Sequence, residues 1–448
     1  MNPGDTLRLK IEDFNTKGQG FARHEGLAIF VNGGLIGEEC EVKIVTKKKQ
    51  YAVANKIKTI TPSPNQVIPT CPLAEPCGGC QIQHYDYQAQ LNYKEQRVKA
   101  EFKRVGIDIQ PLPIKGMENP FGFRNKAQVP VAGTKGNLKL GFYEQNSHRV
   151  VDTTTCYIQH DLHNKIMQSV RQLLNEANVE PYNERAKRGW LKHVIVRVSY
   201  SQKKAMVILV TVQKKGLDFK NFTDRLTKEV PEVVSIFQNI NDQKGNRILG
   251  RKFYHHYGQH ELVDTIGDLH FRISPASFFQ INPTQTEKLY NAALEMAELT
   301  GEETVYDLYC GSGTISLFLA KQAKEVIGIE IVEAAIEDAK KNAKDNNITN
   351  ADFYAGKAEE VFPVLYKEGR KAEVVVVDPP RKGLDPQVIE TIATMQPKKI
   401  VYVSCNPNTL ARDVKALIEQ GYKLNDVQPV DMFPHSMHVE CVANLGIN

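Results

Sequence analysis

Ile400-Val401-Tyr402-Val403-Ser404-Cys405-Asn406-Pro407 decides how the chain is read. The run from Ile400 to Val403 is β-branched and aromatic, the composition of a buried parallel strand. Pro407 cannot continue a ladder, and Asn406 and Asn408 favour a turn. Helical spacing resumes from Thr409 to Gln420. Cys405 is therefore expected just past the carboxyl end of a strand, where open α/β sheets place their ligands. A thiol beside a following helix N-terminus tends towards a lowered pKa and thiolate reactivity. Most free cysteines are small buried hydrophobes, so the case for chemistry rests on what accompanies Cys405.

The accompaniment begins near residue 266, where strands and helices alternate. Thr304 to Tyr309 reads as a strand feeding Cys310-Gly311-Ser312-Gly313-Thr314 and then a helix, Ile315 to Gln322. The next strand, Val326 to Ile329, ends in Glu330. Glycines after the first strand let a ligand approach the backbone, and an acid ending the second can bind ribose hydroxyls. The third glycine of the dinucleotide fingerprint is absent, because Ile315 and Ser316 stand there. That favours S-adenosylmethionine over NAD, since no pyrophosphate needs a cradle. A third strand is expected around Asp352-Phe353-Tyr354. Glu373 to Val377 then runs into Asp378-Pro379-Pro380-Arg381-Lys382-Gly383. Asp378 thus shares a sheet edge with Gly311 and Cys405, and Asp385 is better placed to cap the helix starting at Pro386. In the last strand, Val439 to Leu445, Glu440 stands in apolar surroundings, where desolvation raises a carboxyl towards the range of a working base.

The chain is 448 residues long with formal charge +5, enough for two or three domains and compatible with a nucleic-acid partner. Its apolar runs are too short to span a bilayer and the N-terminus lacks a signal region, which predicts a cytoplasmic protein. Residues 1–60 alternate polar and apolar residues between turn glycines, the pattern of a small closed β-barrel. Residues 61–265 form a central segment. It opens on Cys71, Cys77 and Cys80, three cysteines in ten residues around Gly78-Gly79. In a cytosolic chain that clustering suggests an iron–sulfur cluster, with Cys156 as the best fourth ligand; zinc is the competing occupant. Asp86 to Val105 has helical periodicity, with Gly106 as its cap. Basic residues crowd from Asn183 to Lys204. From Gln243 to His260, Lys244, Arg247, Arg251 and Lys252 interleave with aromatic rings and no acid. Cations for phosphates and rings for unpaired bases point to single-stranded RNA. Residues 266–448 form the catalytic domain.

Taken together these residues resemble the RumA/TrmA family of S-adenosylmethionine-dependent RNA uracil-5-methyltransferases. The matching stretches are Ala276 to Asn282, Asp307 to Gly313, Asp378 to Gly383, Ser404 to Asp413 and His435 to Glu440. Residues 1–60, through Gly18 to Ala22 and Gly37-Glu38, resemble a TRAM domain. The resemblance implies a Rossmann-like α/β methyltransferase domain, S-adenosyl-L-methionine as cofactor and a [4Fe-4S] cluster. It also implies a monomer acting on RNA. Cys405 would be the nucleophile and Glu440 the base, while Gln280, Tyr309, Gly311, Glu330 and Asp378 would line the cofactor and base sites. The barrel and the four cysteines match the branch acting on 23S rRNA; the transfer-RNA branch usually lacks both. Thr314 stands where some relatives have Asn. A competing enzyme class, the amino methyltransferases with D/N-P-P-[YF], needs an aromatic where this chain has Arg381. An RNA-binding iron–sulfur protein with an inactive methyltransferase domain would not need Gly311, Glu330, Asp378, Cys405 and Glu440 together.

Overall fold

The computed structural model describes residues 1–447. The chain divides into two compact units. One comprises Met1–Lys94, Phe142–Thr153 and Phe433–Met437, and the other comprises Glu95–Gly141, Thr154–Met432 and His438–Asn448.

The first unit contains the expected barrel-like sheet. Six strands between Thr6 and Thr61 form one curled sheet, with Thr6–Lys10 pairing Glu39–Lys47 and Leu27–Asn32 pairing Tyr51–Thr61. Alternation puts Leu9, Ile29, Val31, Val42, Ile44, Ala52 and Ala54 into its core. One charge is fully buried there. Glu38 receives Lys56 Nζ at 2.8 and 3.1 Å, Thr59 Oγ1 at 2.6 Å and the Leu35 N–H at 3.0 Å. Those donors satisfy the carboxylate that burial would otherwise penalise.

The second unit contains two large sheets and a two-stranded one, Leu262–Ile266 with Leu269–Ile273. In the first, strands Lys252–Gly258, Val233–Ile240, Lys204–Thr211, Leu191–Ser199 and Lys126–Thr134 lie side by side in that order. Its two central strands are buried almost throughout. The second sheet carries the chemistry. Its order is Ala351–Ala355, Glu325–Glu330, Thr304–Leu308, Val374–Val377, Lys399–Ser404, Glu440–Ile447, Tyr422–Val430. The first five strands run parallel, and Glu440–Ile447 runs antiparallel to both neighbours. Val374, Val375, Val376 and Val377 are all buried, as a parallel strand covered on both faces requires. Thr304–Leu308 is where the strand order reverses, so the loops after it and after Val377 open a crevice at the carboxyl edge. This Rossmann-like sheet is the fold class read from the sequence. The helices differ from expectation at their ends: Thr314–Ala320, Pro407–Glu419 and Tyr87–Arg104. Pro407 opens its helix because a first-turn N–H has no intrahelical partner to lose. Among the described residues no helix is long and apolar enough to cross a membrane.

Removing the buried barrel carboxylate should cost far more than removing a surface pair. Glu38→Ala should lower the unfolding free energy by about 3 kcal/mol, because it strands Lys56 and the Leu35 N–H. Arg8→Ala, which breaks an exposed contact to Glu39, should cost less than about 1 kcal/mol. Urea unfolding of the full chain measures both; equal midpoints would show that the buried pair does not hold the barrel.

Candidate active site

The nucleophile candidate sits in a turn built for it. Asn406 caps the helix Pro407–Glu419, its side chain accepting from the Asn408 N–H at 3.3 Å. The Asn406 N–H donates to Ser404 Oγ at 3.1 Å. Cys405 is held between them. The strand of Glu440 is paired so that Ser404 faces Cys441. Continuing that antiparallel register by one residue sets Glu440 opposite Cys405. Asp378 follows Val377 on the neighbouring parallel strand, and its N–H donates to Leu308 O at 3.2 Å. Three strand ends thus deliver a thiol and two carboxyls to one edge.

Burial sets their protonation. Glu440 is 5 % exposed, and desolvation pushes its carboxyl up to about 7, with Arg381 pulling the other way. Asp378 is raised well above the usual carboxylate range by burial, then by Glu440 and Asp307. The Cys405 thiol is raised, not lowered: burial comes first, then Glu440 and Asp378, with Arg381 and the residue's own backbone opposing. The helix N-terminus that argued for a thiolate is outweighed by desolvation and two acids.

Arg381 was not among the residues singled out as functional, although it was visible after the two prolines. It is the cation that acts on both Cys405 and Glu440. Its carbonyl accepts from Asn406 Nδ2 at 3.1 Å and Thr409 Oγ1 at 3.4 Å, tying the Asp378 loop to the Cys405 turn. Asp413 supports the same loop from below. It accepts the Leu384 N–H at 2.8 Å and the Tyr402 hydroxyl at 2.7 Å. A side chain at Gly383, where φ is +84°, would strike Asp413 and Arg412. Asp385 caps the helix Pro386–Met395, accepting from the Gln387 N–H at 3.0 Å, which leaves Asp378 to the site.

The cofactor side lies across the switch point. Tyr309 has φ +68°, an uncommon conformation for an aromatic residue, and its N–H donates to Ile329 O at 2.8 Å. Glu330 is aimed by the backbone: it accepts the Gly311 N–H at 3.2 Å and the Val332 N–H at 2.9 Å. The two glycines of the turn answer different needs. A Cβ on Gly311 would meet nothing within 4 Å, which leaves the backbone open to a ligand. A Cβ on Gly313 would press on Ala339 and Phe353 at 3.0 and 3.1 Å, so that glycine serves packing. Asp307 is fully buried, accepts Ser316 Oγ at 2.5 Å on one oxygen and has no partner on the other. The orphaned oxygen and the open Gly311 backbone fit a ligand that brings polar hydrogens, as S-adenosylmethionine does. Thr314 turns its hydroxyl to Tyr290, 2.9 Å away. Burial pushes the hydroxyl of Tyr290, also missed in the sequence, upward; the Thr314 contact opposes this, and Asp378, Glu440 and Asp307 add to it. Gln280 lies in an irregular segment whose backbone is held by Asn125: Nδ2 donates to Gln280 O at 2.8 Å and the N–H to Ile281 O at 2.9 Å.

The cysteine motif is arranged differently from expectation. In the first unit, Cys77 Sγ accepts the Gly79 N–H at 3.4 Å, and Cys80 Sγ lies 3.7 Å from Gln83 Nε2. Gly78 answers a need of the local packing. Its N–H donates to Tyr143 O at 2.9 Å, and a Cβ would meet that oxygen at the same distance. Cys156 belongs to the second unit, where its N–H donates to Asn164 Oδ1 at 2.9 Å. Among the described residues, no three His, Cys, Asp or Glu side chains gather as a group that could hold a metal ion.

Comparison with known proteins agrees with the geometry of the strand-edge site. Residues 86–446 match the family model described as tRNA (Uracil-5-)-methyltransferase, and residues 2–57 match the TRAM domain. An uncharacterized RNA methyltransferase of Clostridium tetani is 47% identical over 99% of this chain and 96% of its own length. One from Bacillus cereus is likewise 47% identical over 99% and 96%. Among solved structures, the Pyrococcus abyssi tRNA (uracil-54, C5)-methyltransferase in complex with S-adenosyl-L-homocysteine superposes with a TM-score of 0.80. It is 29% identical and is covered over 98% of this chain and 100% of its own. With a Rossmann-like sheet, a switch-point crevice and these matches, the chain belongs to the tRNA (uracil-5-)-methyltransferase family: it is an S-adenosylmethionine-dependent RNA methyltransferase carrying a TRAM domain.

Proposed function

We propose that the enzyme methylates C5 of an RNA uridine through a covalent bond between Cys405 and C6 of the base. The observation that carries this reading is the register that sets Glu440 opposite Cys405, with Asp378 on the adjoining strand end. Uracil C5 is a poor nucleophile. Addition of the Cys405 thiolate at C6 turns the ring into an enolate whose C5 can attack a methyl group. S-adenosylmethionine, when bound, supplies that methyl on a sulfonium. Arg381 favours the thiolate that burial resists. Asp378 accepts the ring N3–H, and its neutral form, which burial favours, can also donate to the developing O4 oxyanion. Glu440 then takes the C5 proton, the C5–H electron pair forms the C5–C6 double bond, and Cys405 leaves as thiolate. A paired base cannot reach a strand-edge crevice, so the target is unpaired or flipped.

For the substrate we propose 23S rRNA, supported by the TRAM barrel and the cysteine spacing of the ribosomal branch. Transfer RNA is the second reading. The Pyrococcus abyssi relative is a tRNA enzyme by its description and matches over its whole length, so overall architecture does not separate the two. Mapping 5-methyluridine in rRNA and tRNA, with and without the gene, decides. The iron–sulfur reading rests on the spacing of Cys71, Cys77 and Cys80 alone. Iron and sulfide analysis after anaerobic purification tests it, and zinc or no metal defeats it.

Trapping separates the catalytic roles. RNA carrying 5-fluorouridine should form an adduct with wild type that survives denaturing electrophoresis, because fluorine cannot leave as a cation. Cys405→Ala and Cys405→Ser should form none. Glu440→Gln should accumulate a methylated adduct on ordinary RNA, since elimination needs a proton acceptor. An adduct with Cys405→Ala would sink the mechanism.

The turnover rate should rise with pH. Glu440 titrates near 7 and works as a base only when ionised, so kcat should climb about tenfold per unit below roughly pH 6 and bend near 7. A profile flat from pH 5.5 to 8 would show that Glu440 is not the base.

RNA affinity should depend on the exposed loop of the central sheet. Replacing Lys244, Arg247, Arg251 and Lys252 with Ala should weaken RNA binding. The slope of log K against log[KCl] should fall by up to about 3, at roughly 0.7 per phosphate contact on a single strand. S-adenosylmethionine affinity should hold. An unaltered salt slope would mean that these cations only dress the surface.

A further inference from the structure

Two cations of the second unit lack the counter-charge that burial demands. Lys126 and Arg197 are direct partners on antiparallel strands, so their side chains share one face of the sheet. Arg197 is 5 % exposed, and burial holds its guanidinium down at about 10. Its Nη2 donates to Ser277 O at 2.6 Å and Pro275 O at 3.3 Å, while its buried Nε has no partner. Burial pushes the Lys126 ammonium down to about 7, and Arg197 and Arg124 push it further the same way. No acid offsets the effect on either residue. Arg124, just before this strand, is near enough to act on Lys126 electrostatically.

Cations concentrated without an acid are costly unless an anion arrives from outside. Their position says which anion. Arg197 grips the carbonyls of Pro275 and Ser277, and Asn125, between Arg124 and Lys126, grips the carbonyl of Gln280. Between those anchors Phe278 is 69 % exposed. The cations therefore adjoin the segment that presents Gln280.

We propose that Lys126, with the buried charge of Arg197 beside it, seats one backbone phosphate of the RNA strand whose uridine enters the base site. This rests on the reading of Gln280 as part of that site. A partly desolvated ammonium is suited to a charge-assisted bond to a phosphate oxygen, and the buried guanidinium beside it adds positive charge without itself reaching the phosphate. The carboxylate of S-adenosylmethionine is an oxyanion of similar chemistry, so the experiment must tell the two apart.

The full chain is titrated with the single-stranded oligoribonucleotide (rU)12 over a range of KCl, and separately with S-adenosylmethionine. Lys126→Met should weaken (rU)12 about tenfold at 0.1 M KCl and lower the salt slope by about 0.7, the loss of one phosphate contact. Lys126→Arg should stay within about threefold of wild type. A dodecamer with uncharged methylphosphonate linkages should bind wild type and Lys126→Met alike. S-adenosylmethionine affinity, which also reports folding, should stay within twofold. Unchanged (rU)12 affinity and slope in Lys126→Met would overturn the seat, as would failure of wild type to bind (rU)12. A loss confined to S-adenosylmethionine would overturn it in favour of the cofactor carboxylate. Absence of 5-methyluridine in RNA treated with wild type would overturn the proposed function instead, and leaves the salt slope to be judged by itself.

Discussion

The antiparallel pairing of Glu440–Ile447 against Lys399–Ser404 is the constraint on which the site depends. The other strands that reach the crevice are parallel and end there, so their loops carry the chemistry in the usual way. Glu440 arrives from the opposite direction as the first residue of its strand. Only the register Ser404 to Cys441 sets it across from Cys405. A slip of one residue would turn Glu440 to the other face and swing Val439 or Cys441 into its place. The alternation Val439, Cys441, Ala443, Leu445 is packed into the core cluster on one face. The same residues that hold the hydrophobic sheet together therefore set the position of Glu440.

That arrangement stores electrostatic cost. Asp307, Asp378 and Glu440 all face one buried region, and burial raises each of them. For Glu440 the folded value of about 7 lies above the ordinary 4.5. Its ionised form therefore contributes no penalty below about pH 4 and a penalty of roughly 3 kcal/mol once the pH exceeds 7. The penalty is sustained by a core in which four consecutive valines and the Ile400–Val403 run are wholly buried. It also makes the crevice receptive to positive charge. On the mechanism proposed above, a sulfonium entering it would meet buried carboxyls that Arg381 offsets only in part, so cofactor binding and the readiness of Glu440 to act as a base would draw on the same field.

What was legible in the sequence was whatever depended on neighbours along the chain. Strand-ending positions of Gly311, Glu330, Asp378 and Cys405 followed from apolar runs stopped by glycine, proline or acid. The capping role of Asp385 followed from the proline after it. What was illegible depended on groups brought from far away. The local dipole at Cys405 suggested a lowered pKa, but burial first, then Glu440 and Asp378, all set by the tertiary fold, reverse the direction. Arg381, Tyr290 and Asp413 acquire their roles through contacts to other strands and helices. The need for a glycine at position 78 is the approach of Tyr143 O, sixty-odd residues on. The pairing of Lys126 with Arg197 is likewise a cross-strand fact, and no window of sequence displays it.

The distribution of charge within the second unit gives the reaction a direction. Acids crowd the carboxyl edge of the Rossmann-like sheet, where a cationic cofactor and a neutral base are to meet. Cations without acids stand on the other sheet, joined to the Gln280 segment through Asn125 and Arg197. An RNA strand is anionic along its backbone and neutral at its base edges. On the phosphate seat proposed above, Lys126, with Arg197 beside it, would hold that backbone at the other sheet, away from the buried acids. A nucleotide held by its phosphate at the cations can satisfy both regions only by turning its base towards the acids. Ejecting the base from a stack costs a few kcal/mol, and this separation of charge is a source from which that cost can be met.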